Sequence, residues 1–177
     1  ENFYSKNRLS VTTESNSVQF EPPVIYSSHP PFEDGWTWVI NPDDDNISLA
    51  RTPVTCGSKI TLFNPVAKLY LSTHQGSNGL EVVPSNLVQG EQSVWTVICD
   101  QGKNWVRDQK IQLINTKHNC YLTTSLKYHP KELVNRFNVT CEPLSANSIW
   151  AAAEGLYFLG PEDENSNKDN NNFEKEL

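Results

Sequence analysis

The stretch KITLFNPVAKLYLST, residues 59–73, decides the fold because it returns as KIQLINTKHNCYLTT at residues 110–124. Laid together without a gap, the two agree at seven of fifteen positions: Lys59/Lys110, Ile60/Ile111, Leu62/Leu113, Asn64/Asn115, Tyr70/Tyr121, Leu71/Leu122 and Thr73/Thr124. Agreement at that density marks an internal repeat. Each copy runs on to a Trp segment, QSVWTVIC around Trp95 and NSIWAAAE around Trp150. The same order occurs near the start as RLSVTTES, then SVQF, then DGWTWVI around Trp36, so the Trp steps are 59 and 55 residues.

Within a copy, K-I-x-L, a turn, Y-L-x-T, a loop, a short β-rich run (residues 81–83 and 137–140) and the Trp segment read as four short strands with alternating faces. No window of helical length keeps a 3.6-residue period. Three copies of four strands predict an all-β chain folded as a β-trefoil, since a propeller typically has four to eight blades. One Trp per copy at a fixed place is what a threefold core needs. The expected organisation is a first repeat over 1–40, a linker over 41–53, a second repeat over 54–103, a third over 104–159 and a tail over 160–177. In this frame Asn2 aligns with Asn64 and Asn115, and Leu9 with Leu71 and Leu122, so the first strand of repeat one is expected to lie before Glu1.

The 177 residues correspond to one domain, and 18 aromatics (Trp 5, Tyr 6, Phe 7) suffice to fill its interior. A formal charge of −7 with no Lys/Arg-rich run repels phosphate backbones, which argues against nucleic acid. The most apolar stretch, residues 149–159, is interrupted by Glu154 and falls short of the roughly 20 residues a spanning helix needs. No Met and no apolar leader open the chain, as expected after removal of a signal peptide. Residues 160–177 hold six acidic residues, two Lys and five Asn, a composition that predicts disorder.

The segments VTCGSKITLFN (54–64), LYLSTH (69–74) and Trp95 resemble the MIR domain, a β-trefoil repeat shared by protein O-mannosyltransferases, inositol trisphosphate receptors and ryanodine receptors. WTVICDQGKNWVRDQKIQL (95–113) and IWAAAEGLYFLGP (149–161) narrow the likeness. They resemble the closing repeat of the stromal-cell-derived-factor-two-like proteins, small soluble proteins of the endoplasmic reticulum lumen made of three MIR repeats. The resemblance covers about residues 2–161. It implies a non-catalytic protein without cofactor, partnered by a luminal J-protein cochaperone, Hsp70 and unfolded clients in protein quality control. It also implies partner contacts at His74, Arg107 and Asp108, the last two within the W-V-R-D segment. The family's Leu-His-Ser-His-like strand is here Leu71-Ser72-Thr73-His74. Two other readings stand beside it: a carbohydrate- or peptide-binding trefoil, and the soluble MIR portion of an O-mannosyltransferase.

An even cysteine count in a luminal protein favours pairing, and the repeat frame supplies the pairs. Cys56 begins strand one and Cys99 ends strand four of repeat two; Cys120 begins strand two and Cys141 ends strand three of repeat three. Disulfides Cys56–Cys99 and Cys120–Cys141 are therefore expected. The cysteine gaps of 43, 21 and 21 contain no metal-ligand pair, and the four histidines have no i, i+3 to i+5 spacing, so no metal site is expected. Hydrolase, nucleotide and metalloprotease motifs are absent, and no enzymatic activity is expected. Two sequons occur, at Asn46 and Asn138; Asn46, in a solvated linker, is the better candidate for glycosylation because Asn138 falls in a predicted strand. The ending Glu174-Lys175-Glu176-Leu177 is similar to the K-D-E-L and H-D-E-L retrieval signals, which fits a place in the endoplasmic reticulum lumen.

Overall fold

A computed structural model of the chain describes residues 1–11, 25–28, 36–42, 53–76, 79–86, 90–128 and 136–152. It is all-β. The strands are β1 (Arg8–Val11), β2 (Ile25–Ser28), β3 (Val39–Pro42), β4 (Lys59–Asn64), β5 (Leu69–Gly76), β6 (Gly79–Ser85), β7 (Trp95–Cys99), β8 (Ile111–Asn115), β9 (Cys120–Tyr128) and β10 (Arg136–Glu142). All ten join one sheet. Seven of them, in the order β10-β6-β5-β4-β7-β8-β9, close on themselves through the pairing of β9 with β10. The β1–β2 pair is added to the ring at β10, and β3 borders β4.

The two copies of K-I-x-L become β4 and β8. In β8, Ile111, Leu113 and Asn115 are buried while Gln112 and Ile114 between them are half-buried, the two-residue alternation of a strand with one face on the core. Strand β7 lies between the two, pairing Ile60 with Trp95 on one side and Trp95 with Asn115 on the other. Trp95, Leu71, Leu122, Ile60, Val97 and Ile111 are each at most 2% exposed and form the centre of one hydrophobic cluster.

Three sets of hydrogen bonds recur around this core. Asn2, Asn64 and Asn115, each wholly buried, accept at Oδ1 from the backbone N–H three residues on: Ser5 at 3.0 Å, Ala67 at 2.8 Å and His118 at 3.2 Å. Their amide groups donate to the carbonyl of the residue before a tryptophan: Ile149 at 3.1 Å, Thr37 at 3.0 Å and Val94 at 3.3 Å. Each tryptophan, Trp38, Trp95 or Trp150, returns its indole N–H to a leucine carbonyl: Leu9 at 3.0 Å, Leu71 at 3.1 Å and Leu122 at 2.8 Å. The turns share one more feature. Lys6, Lys68 and Asn119 adopt φ of 60°, 56° and 50°, the left-handed conformation that reverses the chain between strands.

This geometry amends the sequence reading in three places. The tryptophan that plays the recurring part near the start is Trp38; the Trp36 ring instead lies 4.7 Å from the Arg8 guanidinium. The strand paired with β1 is Ile25–Ser28, through Leu9 opposite Ser27 and Val11 opposite Ile25, a register that buries Ile25. The SVQF stretch lies outside the described residues. Finally, the segment around Trp150 is held by single bridges to Ile111 and Asn2 rather than as a named strand.

Candidate functional site

The loop between β7 and β8 is held by the backbone of neighbouring segments and by the Gln109 side chain. Trp105 packs against the core, and its N–H donates to the Val54 carbonyl at 2.8 Å. Gln109 turns the chain back: its Oε1 accepts from Val106 N at 3.0 Å, while its amide nitrogen donates to the Gln101 carbonyl. Asp108 sits at φ 61° and donates its N–H to Ala152 O at 3.2 Å. Arg107 and Asp108 therefore project from a fixed turn, with Arg107 Nε 3.6 Å from Asp108 Oδ2. At 59% and 74% side-chain exposure, water screens the pair to about 0–1 kcal/mol.

His74 lies elsewhere. It is an exposed residue of β5, opposite Glu81 of β6. Among the described residues no hydrogen bond or ion pair joins it to the Arg107–Asp108 turn. His74 is on the β5–β6 hairpin, and Arg107 and Asp108 are on the β7–β8 turn.

Two disulfides close the fold. Cys56–Cys99 joins the loop before β4 to the end of β7 with Cα atoms 5.5 Å apart, and Cys120–Cys141 ties β9 to β10 at 5.3 Å. Cys120 and Cys141 are buried, whereas Cys56 and Cys99 are half-buried. Asn138 is half-buried in β10, where it pairs with Tyr26, and the hydroxyl of Thr140 is buried as well. Asn46 and residues Glu174 to Leu177 lie outside the described residues. Among the described residues no group of three His, Cys, Asp or Glu is placed to hold a metal ion, and no helix is long and apolar enough to cross a membrane.

Sequence reasoning passed over a cluster on the outer surface. The Nζ atoms of Lys6 and Lys110 lie 4.9 Å and 4.4 Å from the centroid of the Phe3 ring. No spacing signals it, because the turn at Phe3 and the start of β8 meet only through the pairing of the chain's first residues with the Trp150 segment.

Together these features define a class: an all-β fold whose two disulfides and recurring Asn and Trp hydrogen bonds organise one core. Solved structures share it. The SDF2-like protein from Arabidopsis thaliana superposes with a TM-score of 0.75 at 22% identity, over 88% of this chain and 91% of that one. The protein O-mannosyltransferase Pmt1–Pmt2 complex of S. cerevisiae, bound to its sugar donor, matches with a TM-score of 0.70 at 19% identity, over 88% of this chain and 24% of its own. A designed threefold-symmetric protein, ThreeFoil, matches with a TM-score of 0.51 at 13% identity, over 82% of this chain and 95% of that one. No protein-family profile and no curated protein sequence matches the chain.

Proposed function

We propose that the chain is a MIR-type β-trefoil of the stromal-cell-derived-factor-two-like family, acting without catalysis beside a J-protein cochaperone and Hsp70 in the endoplasmic reticulum lumen. The observation that carries this reading is the fold likeness to the SDF2-like protein, which extends over nearly the whole of both chains. Two further features support it. Disulfides persist in oxidising compartments such as that lumen. The family-like residues are surface groups on separate elements, Arg107 and Asp108 in an exposed ion pair and His74 on a hairpin, an arrangement suited to contact rather than chemistry. In a protein ending at Leu177, Glu174-Lys175-Glu176-Leu177 would supply retrieval.

The test is affinity capture of the tagged full chain from microsomal extract, with and without the last four residues. Recovery of the J-protein and Hsp70 by the intact chain, and secretion of the shortened one, are the expected results. Capture of neither chaperone defeats the partnership; unchanged retention defeats the retrieval signal.

A second reading rests on the match to the O-mannosyltransferase complex: the chain would be the lumen-facing portion of such an enzyme, recognising carbohydrate or peptide. Binding to a glycan array by the purified chain, without chaperone capture, would favour it.

A further inference from the structure

The two disulfides are supported unequally by what surrounds them. Cys120–Cys141 spans β9 and β10, which also pair along a ladder from Phe137 opposite Tyr128 to Glu142 opposite Tyr121, and both cysteines are buried. Cys56–Cys99 is half-buried and ties the end of β7 to a short strap, residues 53–58, that leads into β4. A single bridge, Thr55 to Asn104, aligns this strap with the β7–β8 loop. Around it Trp105 N–H donates to Val54 O and Cys56 N–H donates to Lys103 O, both at 2.8 Å. At the β7 end Gly57 N–H donates to Val97 O at 2.6 Å.

Pro53, Thr55 and Gly57 of the strap are exposed, as are Gln101, Gly102 and Lys103 of the loop. Backbone bonds between such segments are exchanged readily for bonds to water, and so they hold the segments together weakly. Val54 and Trp105 add apolar contact with the core. That contact carries a cost, because the Trp105 indole N–H is buried without a hydrogen-bond partner. A buried donor left unpaired regains a bond when water reaches it. The disulfide therefore holds closed a junction whose central donor is better satisfied when the junction opens.

We propose that Cys56–Cys99 is a redox-sensitive latch on the β7–β8 loop. Oxidised, it keeps the strap against residues 103–105 and fixes the stem of the turn that presents Arg107 and Asp108. To open it, a thiolate of a dithiol reductant attacks one sulfur of the bridge, and the other cysteine leaves and takes up a proton. The reductant's second thiol then closes the reductant's own disulfide and releases the first cysteine as a thiol. Two electrons and two protons pass to the protein. The strap lifts from the loop, Trp105 meets water, and the turn is held only through Asp108 and Gln109. The ladder of β9 and β10 keeps the fold closed. The latch does not rest on the chaperone reading, since it concerns order in this loop and not what binds there.

The experiment exposes the full chain to stepped concentrations of dithiothreitol, identifies opened bridges by alkylation and mass spectrometry, and reads amide exchange residue by residue by NMR. With Cys56–Cys99 open and Cys120–Cys141 intact, the Cys56, Gly57 and Trp105 amides are expected to exchange at close to unprotected rates. Amides of β9 and β10 are expected to stay about a hundredfold slower than unprotected ones. Reoxidation is expected to restore the original rates. Cys56→Ser combined with Cys99→Ser is expected to reproduce the open loop without reductant; if that double variant does not fold, the selectively reduced native chain decides. Retained protection at Cys56 and Trp105 after selective reduction overturns the proposal. So does loss of protection on β9 and β10 to the same degree, the mark of a bridge that stabilises only the fold as a whole. Opening of both disulfides together at every reductant concentration overturns it as well.

Discussion

The indole N–H of Trp95 donates to the carbonyl of Leu71 at 3.1 Å, and both residues are wholly buried. Here a core tryptophan ties β7 to β5, combining apolar volume with one satisfied polar contact. Trp95→Phe removes the donor, orphans the carbonyl and leaves a partial cavity. The expected loss is about 2–4 kcal/mol, read from the urea midpoint. Trp38→Phe, at a half-buried position with the same bond to Leu9, is expected to cost less.

The side chain of Asn115, one of the three buried asparagines, is used at both ends of its amide. It accepts from His118 N and from the hydroxyl of Thr73, and it donates to the carbonyl of Gln92 at 2.8 Å. Asn115→Ala removes the acceptor of the His118 N–H and one partner of the Gln92 carbonyl, to which the Thr73 hydroxyl still donates, with an expected loss of about 1–3 kcal/mol; Thr73→Val is expected to cost about 1 kcal/mol. Equilibrium unfolding of the two variants and of the double variant measures their coupling.

The two disulfides differ in access. Limited reduction followed by alkylation and mass spectrometry is expected to open Cys56–Cys99, which is half-buried, before Cys120–Cys141, whose cysteines are 7% and 6% exposed. Replacing either pair by alanine is expected to destabilise by about 3–4 kcal/mol, from the chain entropy that closing loops of 43 and 21 residues removes from the unfolded state.

At the β7–β8 loop, backbone conformation is expected to outweigh charge. Asp108 has φ 61°, which a β-branched side chain resists, so Asp108→Val is expected to lose about 1–2 kcal/mol and Asp108→Gly close to nothing. Arg107→Ala removes only a screened ion pair and is expected to stay within about 0.5 kcal/mol. Thermal melts of the three variants separate the two effects.

Expression in a glycosylating secretory host tests the sequons. Asn138 is half-buried in a strand paired on both sides, so no glycan is expected there, and Asn138→Gln should leave the glycopeptide pattern unchanged. Any glycan is expected at Asn46.

Much of the architecture was legible before any coordinates. The aligned K-I-x-L and Y-L-x-T blocks identified β4, β5, β8 and β9, because side-chain alternation in a strand is local and registers directly in residue order. The matched Asn64 and Asn115, and the frame that added Asn2, proved to be one hydrogen-bonding device. The first copy was harder to read. Its Trp38 stands two residues from Trp36, and only the bond to the Leu9 carbonyl distinguishes them. Among the candidate contact residues, Arg107 and Asp108 share a turn, but nothing in their order shows that His74 stands apart on a hairpin.

The sequence by itself determined that the described residues are all-β and that Trp95 and Trp150 belong to a core, since both follow from periodicity and spacing along the chain. Tertiary structure alone decided which strand pairs with β1, which tryptophan serves the first set, and that Lys6 and Lys110 share the Phe3 ring. Those are relations between segments far apart in the chain. They arise only when sheet closure has set the register, and a one-residue slip in that register would turn every side chain of a strand to its opposite face.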